Sequence, residues 1–355
     1  MSYKHFRSII LNDQLLREAD ILRYCAESNI ENIRQAGHFL SEWLSDNLEM
    51  TVYTSGSTGK PKAVNVKKNQ MIASAAMTAA YFGFVPGKTA LLALPVNYIA
   101  GKMMLIRAMY SQLNLWCTEP GNNPIAAIPD DKVIDFAPFV PMQLKDVNHS
   151  KSIQKILLGG APVDAVLQQH LSGLKAEVFH GYGMTETLSH IAIRKVNGQD
   201  ASTAYSALTG VHFEQDKDEC LVIHVPFLDV PVITRDVVTL LDQQRFIWQG
   251  RADFVVNSGG VKLFPDVIEQ KLSGVIADKY FVCGIPDPKY GEKLCLFIEN
   301  TPYNPEKYEA LAEKMAKLLE KYEKPREVFF IPQFRMTASG KIQRKATIER
   351  FLEKL

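Results

Sequence analysis

The chain has 355 residues, 46% of them hydrophobic, enough to bury a sizeable core and to suggest more than one lobe. Forty basic residues stand against thirty-nine acidic ones, so no global field attracts nucleic acid or an anionic membrane surface, and any bound anion must be held locally. The five cysteines (Cys25, Cys117, Cys220, Cys283, Cys295) form no Cys-x-x-Cys and the eight histidines show no metal-ligand spacing, which argues against a disulfide framework or zinc site and for buried free thiols in a reducing compartment.

The segment Met1-Ser2-Tyr3-Lys4-His5-Phe6-Arg7 is polar and charged, without the apolar core of a signal peptide. No run reaches the roughly eighteen apolar residues of a membrane span. A soluble, cytoplasmic protein without membrane insertion is expected.

Through the first two thirds, short apolar runs predict strands at Met50 to Thr54, Thr89 to Pro95, Asn114 to Thr118, Lys155 to Gly160 and Ala176 to His180. Helical spacing separates several of them, over Lys67 to Tyr81 and Ala100 to Leu113. Strand alternating with helix predicts a layered α/β domain with much parallel sheet. From about Asp216 the pattern turns to β-branched alternation, over Cys220 to Val225, Val232 to Leu241 and Phe246 to Gln249, which predicts a β-rich subregion. After Gln249-Gly250-Arg251-Ala252-Asp253 come further strands (Tyr280 to Gly284, Leu294 to Glu299, Val328 to Pro332) and an amphipathic helix from about Asn304 to Glu323 with Tyr308, Leu311, Met315, Leu318, Leu319 and Tyr322 on one stripe. A small α+β carboxy-terminal domain of roughly one hundred residues is expected.

The run Thr54-Ser55-Gly56-Ser57-Thr58-Gly59-Lys60-Pro61-Lys62 follows a predicted strand and combines two glycines, four hydroxyl side chains and two lysines. Glycines let backbone N–H groups approach phosphate oxygens, hydroxyls donate to them, and lysines supply local charge. A Walker loop is excluded because the glycines are three apart and Pro61 follows Lys60; a dinucleotide fingerprint is absent as well. In Gly181-Tyr182-Gly183-Met184-Thr185-Glu186-Thr187, an aromatic ring between glycines can stack on a base, Thr185 can hold an α-phosphate, and Glu186 can help hold Mg2+. A helix start with Thr185 as its cap is the plainer alternative.

The phosphate loop resembles the signature of the adenylate-forming superfamily, which comprises acyl- and aryl-CoA synthetases, adenylation domains of peptide synthetases, and luciferases. The Gly181 to Thr187 run looks like the second signature of that family. The resemblance extends from about Met50 to Arg344, with a shorter region before the phosphate loop than most members show. It implies that Gly160, Ala161 and Pro162 lie along the adenine and that Asp236 and Arg251 hold the ribose hydroxyls, although Arg235 stands where the family usually has Gly. It makes Asp253 the hinge of a mobile domain and Ser258, Gly259 and Gly260 the lining of a pantetheine channel, where a tight turn would also use glycines. The run Thr337 to Arg344 resembles the final signature and supplies Lys341 as the adenylation lysine, with Met336 where a proline is frequent.

The resemblance implies an ATP- and acyl-binding domain over residues 1–252 and a mobile domain over 253–355 that carries Lys341. The implied reaction joins a small carboxylic acid and Mg-ATP into an acyl-adenylate, from which a thiol, CoA, displaces AMP. Catalysis would rest on Lys341, Glu186 and Thr185, acting by positioning and charge stabilisation. Within the family, Thr185-Glu186-Thr187-Leu188-Ser189-His190-Ile191 and Leu94-Pro95-Val96-Asn97-Tyr98-Ile99-Ala100-Gly101 resemble segments of the o-succinylbenzoate:CoA ligases of menaquinone biosynthesis, with Asn97 and Tyr98 where Phe and His are usual. The acyl pocket is therefore expected at Tyr98, Lys102, Ser189 and His190, with Lys102 as cation for a second carboxylate. Another aryl- or acyl-CoA ligase, a carrier-loading adenylation enzyme and a silent AMP-binding regulator remain as alternatives.

Overall fold

Strand order fixes where a site can form, because in a parallel sheet the loops at the carboxyl ends of the strands face one crevice. The computed structural model describes residues 2–53, 62–144, 153–336 and 342–352. Among these, a thirteen-stranded sheet runs through the larger part of the chain. One half is parallel, in the spatial order Ser8–Leu11, Asn114–Cys117, Thr89–Leu92, Ile134–Phe139, Ile153–Leu158 and Glu177–Gly183. The antiparallel half continues from Glu177–Gly183 through His190–Lys195, Tyr205–Ala207, Arg245–Arg251, Val232–Asp242 and Cys220–His224 to His212–Gln215 at the edge.

Side-chain alternation splits the parallel half into two apolar faces. Ala90, Leu92, Leu157 and Phe179 pack with the helices Glu31–Leu44, Lys68–Phe82 and Ile99–Ser111, whereas Leu91, Ala93, Ile156, Leu158 and Val178 pack with the helix Ala165–Ser172. Helices thus cover both faces, the arrangement that buried parallel strands require.

The expected first strand, Met50 to Thr54, is present as Glu49–Tyr53 but does not join the parallel order. Glu49–Tyr53 lies outside the large sheet and pairs only with Ala63–Lys67, as an antiparallel hairpin that returns the chain across the phosphate-loop segment. Its place in the parallel order is taken by Ser8–Leu11, whose apolar run is too short to stand out. That strand turns at Asn12 and Asp13, both with left-handed backbone, into Gln14–Arg17.

From Val256 onward a second, five-stranded sheet has apolar cores of its own, packed with the helices Pro265–Leu272, Pro305–Leu318 and Arg344–Leu352. The fold is α/β: a large layered part with a β-rich extension, plus a small α+β part. The amphipathic helix stops at Leu318, earlier than its pattern suggests, and only Leu311, Met315 and Leu319 of its stripe are buried. Tyr308, Leu318 and Tyr322 face solvent, because the small sheet is too narrow to cover the whole stripe. Among the described residues, three hydrogen bonds join the parts: Arg251 N–H donates to Asp266 Oδ2 at 3.1 Å, Ala165 N–H to Ser273 Oγ at 2.9 Å, and Lys262 Nζ to Glu219 Oε2 at 2.5 Å.

All five cysteines are free thiols, four of them buried. Cys283 and Cys295, distant in sequence, face each other across antiparallel strands, and burial pushes each thiol up to about 12. Among the described residues, no helix is long and apolar enough to cross a membrane.

Candidate active site

A cavity of about 1650 Å3 opens at the carboxyl ends of the strands Ile134–Phe139, Ile153–Leu158 and Glu177–Gly183. It exceeds what one drug-sized ligand needs and has room for a nucleotide beside an acid. The candidates Lys62, Gly160, Ala161 and Pro162 line it, as do Gly181, Tyr182, Gly183, Met184, Thr185 and Glu186. Tyr98, Ser189, His190, Asp236 and Arg251 complete the set of candidates that it gathers. The candidates Thr54, Ser55, Gly56, Ser57, Thr58, Gly59, Lys60 and Lys341 lie outside the described residues. Tyr53, just before the run, and Lys62, its last residue, are both at the cavity wall.

The glycines of Gly181-Tyr182-Gly183 answer to packing. A Cβ at Gly183 would stand 2.2 Å from the Ser189 carbonyl oxygen, and one at Gly181 would stand 3.0 Å from His190 Cβ, so only bare backbone lets His190–Lys195 fold back this closely. Between them Tyr182 donates its hydroxyl to Asp236 Oδ2 at 2.7 Å. Trp248 Nε1 donates to the other Asp236 oxygen at 3.1 Å, and the Arg251 guanidinium lies 3.9 Å away. Burial first, then the Asp236 charge, raises the Tyr182 pKa well above its ordinary value, so the phenol stays protonated and keeps donating. An aromatic face and an oriented carboxylate thus meet at one end of the cavity.

The turn that follows holds the other candidates. Thr187 is buried, its hydroxyl accepts from Met184 N–H and contacts the carbonyls of Met184 and Ser189, and Leu188 adopts left-handed backbone at φ 65°. The turn leaves Thr185 half-buried and Glu186 exposed at the cavity wall. Glu186 has no hydrogen-bond or ion-pair partner among the described residues.

The acyl end departs from the sequence reading. Lys102 does not line the cavity; its ammonium lies 5.7 Å from the centre of the Phe39 ring and burial lowers its pKa. The correction follows from the cap: Tyr98 has extended backbone (φ −103°, ψ 157°) outside the helical phase and faces the cavity, whereas Lys102, inside the helix Ile99–Ser111, follows that phase toward Phe39 of the helix Glu31–Leu44. Asn97 likewise turns away and donates to Gln35 Oε1.

The cation beside Ser189 and His190 at the cavity wall is Arg107, which the sequence reading missed. Its guanidinium is fully enclosed, donates to Ser189 Oγ and to Thr78 Oγ1 (3.3 Å), and lies 3.5 Å from His190 Nδ1. Burial pulls its pKa down to about 9, still high enough to keep it charged at neutral pH. Burial and the Arg107 charge hold the His190 pKa well below its usual value, so that ring is neutral and hydrogen-bonds Thr78 Oγ1 at 3.1 Å. No carboxylate pairs with Arg107 among the described residues. A signal existed: Arg107 is the one arginine in its helix and stands inside the mostly apolar run Met103 to Met109. His180, by contrast, is spanned by Ala161 O and Tyr205 Oη, a satisfied structural residue.

Two candidate groups stand away from the cavity. Asp253 is held by Arg251 at 2.9 Å and Arg235 at 3.2 Å; burial raises its pKa, but these hydrogen bonds outweigh that and leave it below the ordinary value. Ser258 ends the strand Val256–Ser258, and Gly259 and Gly260, at φ 58° and 82°, form the two-residue hairpin to Val261–Leu263. That turn needs left-handed residues for its own sake.

The AMP-binding enzyme family matches residues 10–213, and the AMP-binding enzyme C-terminal domain matches residues 254–341. The chain belongs to the AMP-binding enzyme family. A solved acyl-CoA synthetase (AMP-forming)/AMP-acid ligase II-like protein from Dyadobacter fermentans is 39% identical, with 91% of this chain and 95% of that one covered and a TM-score of 0.60. A 2-succinylbenzoate–CoA ligase of Listeria monocytogenes is 25% identical over 345 residues, which cover 88% of this chain and 72% of the relative. The o-succinylbenzoate CoA synthetase of Bacillus subtilis, solved with the acyl-adenylate intermediate OSB-AMP, shares the fold at 18% identity, with a TM-score of 0.77 over 96% of this chain and 94% of that one.

Proposed function

We propose that this AMP-forming acid:CoA ligase activates an aromatic dicarboxylic acid, o-succinylbenzoate, as its adenylate and passes the acyl group to CoA. The observation that carries the proposal is the enclosed Arg107 guanidinium, which faces the cavity without an anionic partner among the described residues. A buried charge held only by neutral groups is costly, and a substrate carboxylate entering beside Ser189 and His190 would compensate it. A monocarboxylic acid consumes its only carboxylate at the α-phosphate and leaves Arg107 uncompensated. The names of relatives such as the Listeria ligase support the same choice.

In this reading the Tyr182 ring stacks on the adenine beside Gly160, Ala161 and Pro162, and Asp236 with Arg251 takes the ribose hydroxyls. The exposed, unpartnered Glu186 carboxylate suits an ion that takes oxygen ligands, and Mg2+ there would partly neutralise the triphosphate. Thr185 holds the α-phosphate, and Lys60, Lys62 and Lys341 offset charge on the phosphoryl oxygens and the departing pyrophosphate. Residues 253–355 rotate about Asp253 between the half-reactions and bring Ser258, Gly259 and Gly260 to the site for the thiol.

A panel of carboxylic acids with ATP and CoA, read by AMP release, tests the proposal. AMP release with o-succinylbenzoate, and at least tenfold less with benzoate or phenylacetate, is the expected result. Efficient turnover of a monocarboxylic acid in its place would overturn the substrate assignment and leave the ligase class intact.

A further inference from the structure

We propose that His212, Glu214 and His224 form a site for a divalent zinc-type metal ion on the outer edge of the large sheet, apart from the nucleotide cavity. The three residues are invisible as a motif because they are brought together across a hairpin: His212–Gln215 pairs antiparallel with Cys220–His224, His212 is directly opposite His224, and Glu214 follows two residues on, on the same face. Each offers a ligand atom, and these atoms all lie within 4.8 Å of one another. The imidazoles stack with centroids 4.3 Å apart and planes 7° from parallel. His224 Nε2 is buried, makes no hydrogen bond among the described residues, and lies 3.3 Å from Glu214 Oε2. An orphaned ring nitrogen beside a carboxylate and a second imidazole is a donor set in want of an acceptor. None of the three lines the nucleotide cavity.

The hairpin holds this set in place. Asp216 Oδ1 accepts from the backbone N–H groups of Asp218 and Cys220 at 2.8 and 2.9 Å, Asp216 N–H donates to the Cys220 carbonyl, and Glu219 takes the left-handed residue of the turn. Register is thereby pinned a few residues from the histidine pair. As placed, the stacked rings aim their in-plane nitrogens side by side. Rotation about χ2, a soft torsion in histidine, turns them toward a point shared with the Glu214 carboxylate. Two imidazoles and one carboxylate suit Zn2+, with water in the remaining position, and do not suit Mg2+, which takes oxygen ligands in octahedral geometry. The site is thus chemically distinct from the Mg2+ assigned to Glu186. An ion here would clip together the two outermost strands, where an unpaired edge is otherwise exposed.

The test uses the full chain without an affinity tag, stripped with chelator and free of nucleotide, titrated calorimetrically with ZnCl2 near neutral pH. One ion per chain is expected, with affinity weakened roughly tenfold or more in His212→Ala and in His224→Ala, and less in Glu214→Gln. Far-UV circular dichroism verifies that the variants fold. A second readout uses Cu2+ as probe: electron paramagnetic resonance should show coupling to two imidazole nitrogens, falling to one in His212→Ala. Absence of zinc binding below millimolar concentration would overturn the proposal. So would zinc binding that persists unchanged in the double variant, which would assign the ion to thiols or to Glu186.

Discussion

Arg107 is the residue on which the proposed acid-binding role turns. Arg107→Met keeps most of the side-chain length and removes the charge. We expect kcat/KM for o-succinylbenzoate to fall roughly a hundredfold, about 3 kcal/mol, the scale of a buried charge-assisted contact, with KM for ATP nearly unchanged. Thermal stability should hold or rise, since no partner charge is stranded when the guanidinium goes. A large fall in melting temperature would instead make Arg107 a structural group. Close by, Leu188 spends about 1–2 kcal/mol on left-handed backbone, and the Thr187 hydroxyl holds the turn that needs it. The sequence marked Thr185 and Glu186 by chemical type, but nothing in it marked Leu188 as the residue that aims them.

At the scale of elements, the helix Ile99–Ser111 carries Tyr98 at its cap and Arg107 about two and a half turns on, and its seat depends on Gly101. A Cβ at Gly101 would lie 2.4 Å from the Pro95 carbonyl oxygen and 2.8 Å from Val96 Cα, backbone atoms that cannot give way locally. Gly101→Ala should therefore cost about 2 kcal/mol or more, read as a lower denaturation midpoint, and weaken acid binding as the helix shifts. The run Leu94 to Gly101, read in the sequence as substrate recognition, thus contains one residue required by packing alone.

The helix Pro265–Leu272 supports a pH prediction. Arg344 reaches Glu269 Oε2 at 2.8 Å and Asp266 Oδ1 at 3.1 Å. Burial pushes Glu269 from 4.5 up to about 7, against the opposing Arg344 charge and the hydrogen bond from Val282 N–H. A folded-state pKa above the unfolded one makes a stabilising contribution that is complete below about pH 4.5 and is lost as pH rises to about 7. Glu269→Gln removes this titration, so its melting temperature should vary less than that of the natural chain across that window. Parallel curves for the two proteins would show that Glu269 does not titrate there.

In the whole molecule, the described residues of the second part meet the first through three hydrogen bonds, at Arg251–Asp266, Ala165–Ser273 and Lys262–Glu219, and so small a set suits the rotation proposed above. Val267, Gln270 and Lys271 of its helix line the nucleotide cavity, so moving it would open one wall. If residues 253–355 alternate between two positions, Lys341→Ala should abolish pyrophosphate release from acid and ATP yet spare thioester formation from added acyl-adenylate. Equal loss in both half-reactions would contradict the two-position account.

What the sequence determined by itself was what is local in the chain: the signatures at Thr54 to Lys62 and Gly181 to Thr187, by which the family is legible, and the alternation of strand and helix each occupy continuous stretches. The tertiary structure decided everything that depends on distant stretches meeting. It placed the strand Glu49–Tyr53 outside the large sheet, set Arg107 and not Lys102 of the same helix at the cavity wall, and joined His212, Glu214 and His224 across a strand pair. The physical reason is the same in each case. A side chain's direction is set by helix phase or strand register, and those are fixed by packing against partners that lie tens of residues away.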